Sequence, residues 1–137
     1  MRRLIAIATL ASILLLAPAA FGATKNGITP IAPKQGDSVP AGKRPTFKLR
    51  YSGPGQIYVH VCKSRKKNSE GLICSDESIG RAKKKSGRAK YRPRFFDFPE
   101  FWLNSPGTYY WQAHRISCED GIDDCRIEGP VVKFKVA

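Results

Sequence analysis

The fold is decided by the stretch Leu103-Asn104-Ser105-Pro106-Gly107-Thr108-Tyr109-Tyr110-Trp111-Gln112-Ala113-His114. Its Pro-Gly pair predicts a turn, and the residues that follow alternate as they do in a β-strand. The odd-numbered residues of Tyr109–Ala113 fall on one face, which we expect to be buried. The even-numbered residues of Tyr110–His114 fall on the other face, which we expect to be in water. Because three consecutive aromatic side chains can bury much apolar area, this strand is expected to form the centre of the core.

Other segments on both sides of this stretch show the same period of two. Thr46–Ser52, Gln56–Cys62 and Pro130–Val136 each place apolar residues on one face, with polar or charged residues between them. Ile28–Ala32 predicts a short edge strand, where proline is tolerated. We expect Lys63–Lys90 to form long loops around one short edge strand. Short alternating strands with no convincing helix predict an all-β antiparallel sandwich.

The first 22 residues have the pattern of a signal peptide. Arg2 and Arg3 precede the apolar run Leu4–Leu16, and small residues follow it, with Gly22 or, alternatively, Ala23 as the last residue before cleavage. A retained membrane anchor is the alternative, but the apolar run is short for a span. We therefore predict two parts, a signal peptide at 1–22 and one domain at 23–137, exported to the cell envelope or outside the cell. The mature form would have no transmembrane helix.

The chain is strongly basic. It has 24 Lys and Arg residues against 11 Asp and Glu, for a formal net charge of +13. Without Arg2 and Arg3 the balance is 22 against 11, a net charge of +11. This excess favours anionic partners such as acidic cell-envelope polymers, polyanionic glycans or lipid head groups. The same charge also serves solubility alone.

The basic residues are concentrated between the predicted strands. The candidate polyanion-binding residues are Lys63, Arg65, Lys66, Lys67, Arg81, Lys83, Lys84, Lys85, Arg88, Lys90, Arg92 and Arg94. On loops with Ser and Gly, such residues would form a flexible grip for a polyanion, and Tyr91 among them would stack on a sugar or a base. A solvated surface with no ligand is the alternative. Nucleic acid is disfavoured as a partner because export removes it from the protein's surroundings.

Four cysteines in an exported chain predict two disulfides. Cys62, Cys74, Cys118 and Cys125 allow three pairings, and their spacing alone selects none of them. The spacing lacks a Cys-x-x-Cys pair, and no histidine lies close in sequence. A zinc site made from these thiolates is therefore not expected.

No catalytic or metal-binding motif is present. Glu119–Asp124 is dense in carboxylates but lacks the pattern of a calcium-binding loop. His60 and His114 are predicted as scattered surface histidines, because a metal site would need a third ligand that the sequence does not supply. Asp97 and Glu100 flank aromatic residues as a glycosidase pair does, but salt-bridge partners are the better interpretation. We predict no catalytic residues, no metal ligands, no cofactor and no enzymatic activity.

Pro106-Gly107-Thr108-Tyr109-Tyr110-Trp111, together with the closing segment Val131-Val132-Lys133-Phe134-Lys135-Val136, resembles fibronectin type III and related immunoglobulin-like domains of secreted bacterial proteins. The resemblance implies a single sandwich of about seven strands, with Trp111 and a corner tyrosine as its structural centre. Either Tyr109 or Tyr110 fits the corner, and the alternation favours Tyr109. The chain departs from the family in lacking a tryptophan in Gln56–Cys62, and its cysteines are not at the inter-sheet positions.

The topology of that family implies a disulfide pairing. It places Cys62 and Cys118 at opposite ends of one sheet, too far apart to bridge, and so favours the local pairs Cys62–Cys74 and Cys118–Cys125. The family implies binding or spacing, with no chemistry. We therefore expect a secreted, non-enzymatic, adhesion-type module that engages an anionic polysaccharide or cell-envelope polymer. The alternative is a structural module that associates with itself or with other extracellular proteins.

Overall fold

The computed structural model describes residues 23–73, 79–93, 103–118 and 125–137. This part of the chain is all-β and forms two sheets, which confirms the predicted sandwich class. Within the same residues no helix is long and apolar enough to cross a membrane. The nine strands described are β1 (Ile28–Ala32), β2 (Ser38–Val39), β3 (Phe47–Tyr51), β4 (Gln56–Cys62), β5 (Ile79–Arg81), β6 (Lys83–Lys85), β7 (Arg88–Tyr91), β8 (Gly107–Ile116) and β9 (Arg126–Val136).

One sheet has four strands in the order β1-β3-β7-β6, and the other has five in the order β2-β9-β8-β4-β5. Neighbouring strands are antiparallel, except that β2 runs parallel to β9. The chain changes sheets between β1 and β2, and the Trp111 Nε1–H donates to the Pro33 carbonyl in that connection at 2.9 Å. The central strand therefore also holds the first crossover in place.

The core lies between the two sheets, and aromatic side chains fill its centre. Trp111 is completely buried, and the ring of Phe47 meets it edge-on with 5.4 Å between centroids. The ring centroids of Phe47 and Tyr109 each lie 5.9 Å from the ring centroid of Phe134 in β9. The inward positions predicted for β3, β8 and β9 are confirmed, since the alternating apolar residues of these strands are buried.

The turn before β8 is tied to the strand by a side chain. The Tyr109 hydroxyl donates to the Ser105 carbonyl, four residues upstream, at 3.0 Å, and Tyr109 is 1% exposed. Tyr110, on the opposite face, is half-buried. Of the two candidate tyrosines, Tyr109 makes this bond from within the core.

The expectation of long loops over Lys63–Lys90 was wrong for its second half, which contains β5, β6 and β7. Apart from Tyr91, the inward positions there are small or charged: Lys84 faces inward on β6, Ala89 packs into the core, and Gly80 lies against the ring of Tyr91. A Cβ on Gly80 would come within 1.9 Å of that ring, so only glycine fits. Because the apolar signal of a strand comes from large inward side chains, this hairpin was not visible as alternation.

The outer face of the five-stranded sheet was expected to be in water, and this was wrong at its centre. The segment Asn68–Ile73 folds onto this face, and Gln112 of β8 is fully buried there. The Gln112 side chain donates to the carbonyls of Gly71 and Gly129 at 3.1 and 3.0 Å and accepts from the Ile73 N–H at 3.0 Å. A buried amide with three partners is a stable arrangement, so β8 is buried on both faces.

Cys118 and Cys125 form a disulfide with 5.4 Å between their Cα atoms, as the pairing predicted. It joins the segment after β8 to the start of β9. Cys62 is also disulfide-bonded. Several predictions lie outside the described residues, namely the signal peptide at 1–22, the partner cysteine Cys74, Arg94, Asp97, Glu100 and the acidic residues of 119–124.

Replacing Tyr109 with Phe should lower the free energy of unfolding by about 1–2 kcal/mol, because it leaves the Ser105 carbonyl without its donor. Urea unfolding of the oxidised protein measures this change. Tyr110→Phe is the matched control and should change stability by less than about 0.5 kcal/mol. Equal effects of the two variants would contradict a structural role for the Tyr109 hydroxyl.

Replacing Gln112 with Met should lower the free energy of unfolding by more than about 2 kcal/mol, because it leaves three backbone groups without a side-chain partner. Amide hydrogen exchange should also show faster exchange of the Ile73 N–H. Gln56→Met, which removes one bond from a half-buried side chain, is the control. Unchanged exchange at Ile73 would show that other contacts hold the Asn68–Ile73 segment.

Candidate functional site

Six cationic residues form two rows across the outer face of the four-stranded sheet. In the first row, Lys48 of β3 pairs with Lys90 of β7, which pairs with Lys83 of β6. In the second row, two residues further along each strand, Arg50 of β3 pairs with Arg88 of β7, which pairs with Lys85 of β6. We name these residues the basic face; they are Lys48, Arg50, Lys83, Lys85, Arg88 and Lys90, and all are exposed.

The basic face is a dense array of like charges. Adjacent strands lie about 4.8 Å apart and alternate residues about 7 Å apart, so the six positions span roughly 10 by 7 Å. None of the residues in β1, β3, β6 and β7 is acidic. Like charges directly opposite one another on neighbouring strands destabilise a sheet. A bound polyanion would remove this repulsion.

The structure describes eleven of the twelve predicted polyanion-binding residues, all but Arg94, and divides them among several places. Lys83, Lys85, Arg88 and Lys90 belong to the basic face. Lys84, between them, points to the other face of its strand, where its Nζ donates to the Gly55 carbonyl and lies 5.6 Å from the centre of the Tyr51 ring. These residues lie in or between strands, so the expected flexible loop was wrong for this cluster.

The cluster Lys63–Lys67 is not part of the basic face. These residues are exposed, and the chain after them folds over the outer face of the five-stranded sheet, where Lys67 bridges to Ile73. Lys67 is therefore tied to the outer side of the five-stranded sheet, whereas the basic face is on the outer side of the four-stranded sheet. Lys63 itself lies over the ring of Tyr109 at 5.5 Å from its centre.

Sequence reasoning left Lys48 and Arg50 out of the site. The available signal was their outward position in the alternation of β3. What the sequence did not provide was the pairing of β3 with β7, which places Lys48 beside Lys90 and Arg50 beside Arg88. Because this pairing joins segments that are distant in sequence, the cations of β3 and β7 form one surface only in the folded protein.

A cleft of about 960 Å³ opens at the sheet edge where the chain crosses from β5 to β6. We name it the cationic cleft. None of the described residues that line it is acidic; they are Thr46, Gln56, Gly80, Arg81, Ala82, Lys83, Lys84, Lys90, Tyr91 and Arg92. Because Lys83 and Lys90 belong to both places, the cationic cleft and the basic face form one continuous positive surface.

Tyr91 does not offer an open ring for stacking, as the sequence suggested. It is 5% exposed, and its ring lies in the core with 6.3 Å between its centroid and that of Phe47. The alternation of β7 explains this, since Lys90 and Arg92 point outward when Tyr91 points inward. At this surface recognition would depend on charge and hydrogen bonding.

His60 and His114 were predicted at the surface, but both are buried. His60 Nε2 and His114 Nδ1 are hydrogen-bonded at 2.6 Å, and the ring of Tyr58 stacks on His114. Burial, followed by the charges of His60 and Arg126, lowers the pKa of His114 to about 3. His114 is therefore neutral at pH 7. Among the described residues no group of three or more His, Cys, Asp or Glu could hold a metal ion.

The buried histidine pair predicts acid sensitivity. A folded-state pKa of about 3 for His114, against an ordinary 6.5, means that the unfolded chain binds a proton that the folded chain does not. Stability should therefore fall as the pH drops from 6.5 toward 3, at up to about 1.4 kcal/mol per pH unit for this proton. Urea unfolding at pH 7, 6 and 5 measures the slope above the range where most carboxylates titrate.

The matched variant replaces both histidines with glutamine, which can hydrogen-bond but does not titrate in this range. The His60→Gln, His114→Gln protein should show a flatter dependence on pH between 7 and 5. A wild-type protein whose stability is constant over this interval would contradict the prediction.

Comparison with protein-family models, with curated proteins and with solved structures found no match to this chain. The two features with chemical consequences for a ligand are the basic face and the cationic cleft. Both present positive charge and hydrogen-bond donors.

Proposed function

We propose that this protein binds an anionic polymer of the cell envelope or extracellular space through the basic face. The observation that carries the proposal is the pairing of cationic residues in two rows across three neighbouring strands. A row of like charges is unfavourable for the isolated sheet, so its presence on exposed positions points to a partner of opposite charge.

The shape of the surface favours a polymer over a single small anion. The basic face is one side of a sheet, and its charges are spread over roughly 10 by 7 Å. A polymer that carries regularly repeated sulfate, phosphate or carboxylate groups can contact several of them at once. Such binding releases counterions and weakens as the salt concentration rises.

The arrangement of strands supports an immunoglobulin-like identity for the domain. The order β1-β3-β7-β6 opposite β9-β8-β4-β5 corresponds to strands A-B-E-D opposite G-F-C-C′ of that architecture. The bond from the Tyr109 hydroxyl to the backbone four residues upstream is the contact of a tyrosine corner. Together with the signal peptide predicted at 1–22, these features support a secreted binding module, which we propose to be non-enzymatic.

If the polymer binds the basic face specifically, removing charge there should weaken binding more than removing the same charge elsewhere on the protein. Replacing Lys48 and Lys85 with Gln should lower the salt concentration at which the protein elutes from heparin, and reduce the salt slope of binding by roughly two. Lys133 and Lys135 are exposed on β9 of the other sheet, so their replacement with Gln removes the same charge elsewhere. Elution from an ordinary cation exchanger should fall equally for both variants.

The Lys133→Gln, Lys135→Gln control variant should elute from heparin at a higher salt concentration than the Lys48→Gln, Lys85→Gln variant. If both variants lose heparin retention to the same extent, the charge acts generically. In that case the basic face is not a binding site, and a structural or self-associating module becomes the better account.

A further inference from the structure

We propose that the cationic cleft is a separate subsite that holds one oxyanion-bearing sugar unit of the polymer, such as a sulfated or phosphorylated end or branch. This inference rests on the proposed function, which it deepens by naming the ligand class. Several units of the polymer would bind along the basic face, and one unit would bind in the cationic cleft.

The cationic cleft is built into the fold at a change of sheet. Ala82 lies between β5 of one sheet and β6 of the other, and its N–H donates to the Ile57 carbonyl at 2.8 Å. The close approach of Gly80 to the Tyr91 ring forms part of the lining. The position and shape of the cleft therefore come from backbone pairing and core packing.

Arg81 is held in position for ligand binding. Its Nε–H donates to the Gln56 side-chain oxygen at 3.0 Å, which orients the guanidinium group. A guanidinium held through Nε can present its terminal N–H groups as a fork to a sulfate, phosphate or carboxylate. Arg92 and Lys90 line the same cleft and are exposed. An oxyanion there would meet cations from β5, from β7 and from the residue after β7.

The size and polarity of the cleft indicate what it would hold. About 960 Å³ lies at the upper end of the range for small-molecule sites, enough for a sugar unit with its anionic groups. Half of the lining residues named above are cationic, and the Tyr91 ring is largely buried. A hydrated, anionic sugar would therefore find several charged donors, and the side-chain stems beside them would contact its ring.

The test uses sucrose octasulfate, a sulfated disaccharide, with the full oxidised protein in calorimetric titration. We expect one bound molecule per protein. Replacing Arg81 and Arg92 with Gln should raise the Kd about tenfold or more, because two charged donors are lost. The Lys48→Gln, Lys85→Gln variant removes the same charge outside the cleft and should change the Kd less than about threefold. Sucrose, without charge, should not bind.

Two results would overturn the inference. One is an unchanged Kd for the Arg81, Arg92 variant; the other is a larger loss for the Lys48, Lys85 variant than for the cleft variant. Either result leaves the proposed function intact if heparin still distinguishes the basic face from Lys133 and Lys135. The converse result is also distinguishable. If the disaccharide binds tightly in the cleft but both heparin variants lose retention equally, the basic face does not bind the polymer and the subsite remains. Circular dichroism of each variant verifies that the sandwich is folded.

Discussion

Strand β8 is buried on both of its faces, and the arrangement of the rest of the molecule depends on this. On the inner face Trp111 and Tyr109 fill the space between the sheets, and on the outer face Gln112 holds the Asn68–Ile73 segment through three hydrogen bonds. A strand with both faces covered cannot shift by one residue without exchanging aromatic and polar side chains between two incompatible environments. Its register with β4 and β9 is therefore strongly determined.

The two sheets differ in how their outer faces are used. The five-stranded sheet is covered at its centre, where the histidine pair and Gln112 are buried. The four-stranded sheet instead presents alternating cations above a well-packed inner face of Phe47, Leu49 and Ala89. The apolar burial on the inner side offsets the repulsion on the outer side, so the fold can maintain an array of like charges that an isolated sheet would not.

The cationic cleft and the histidine pair show two ways of placing polar groups in a small domain. In the cleft, Arg81 is oriented by Gln56 but remains accessible at the sheet edge, which suits recognition. His60 and His114 are hydrogen-bonded to one another in the interior, where desolvation keeps His114 neutral. The first arrangement leaves charge accessible to the proposed ligand, and the second keeps charge out of the interior at His114. This difference is why the basic surface, and not the histidine pair, carries the functional proposal.

The sequence by itself determined the all-β class, the course of β3, β4, β8 and β9, and the inward residues of each, because alternation is a local property of the chain. It also favoured the Cys118–Cys125 pairing, through the resemblance. Only the tertiary structure decided that Lys48 and Arg50 lie beside Lys90 and Arg88, that β6 and β7 form a hairpin, and that His60 and His114 are buried. These outcomes depend on which distant segments pair with or cover one another. Local periodicity does not determine such contacts.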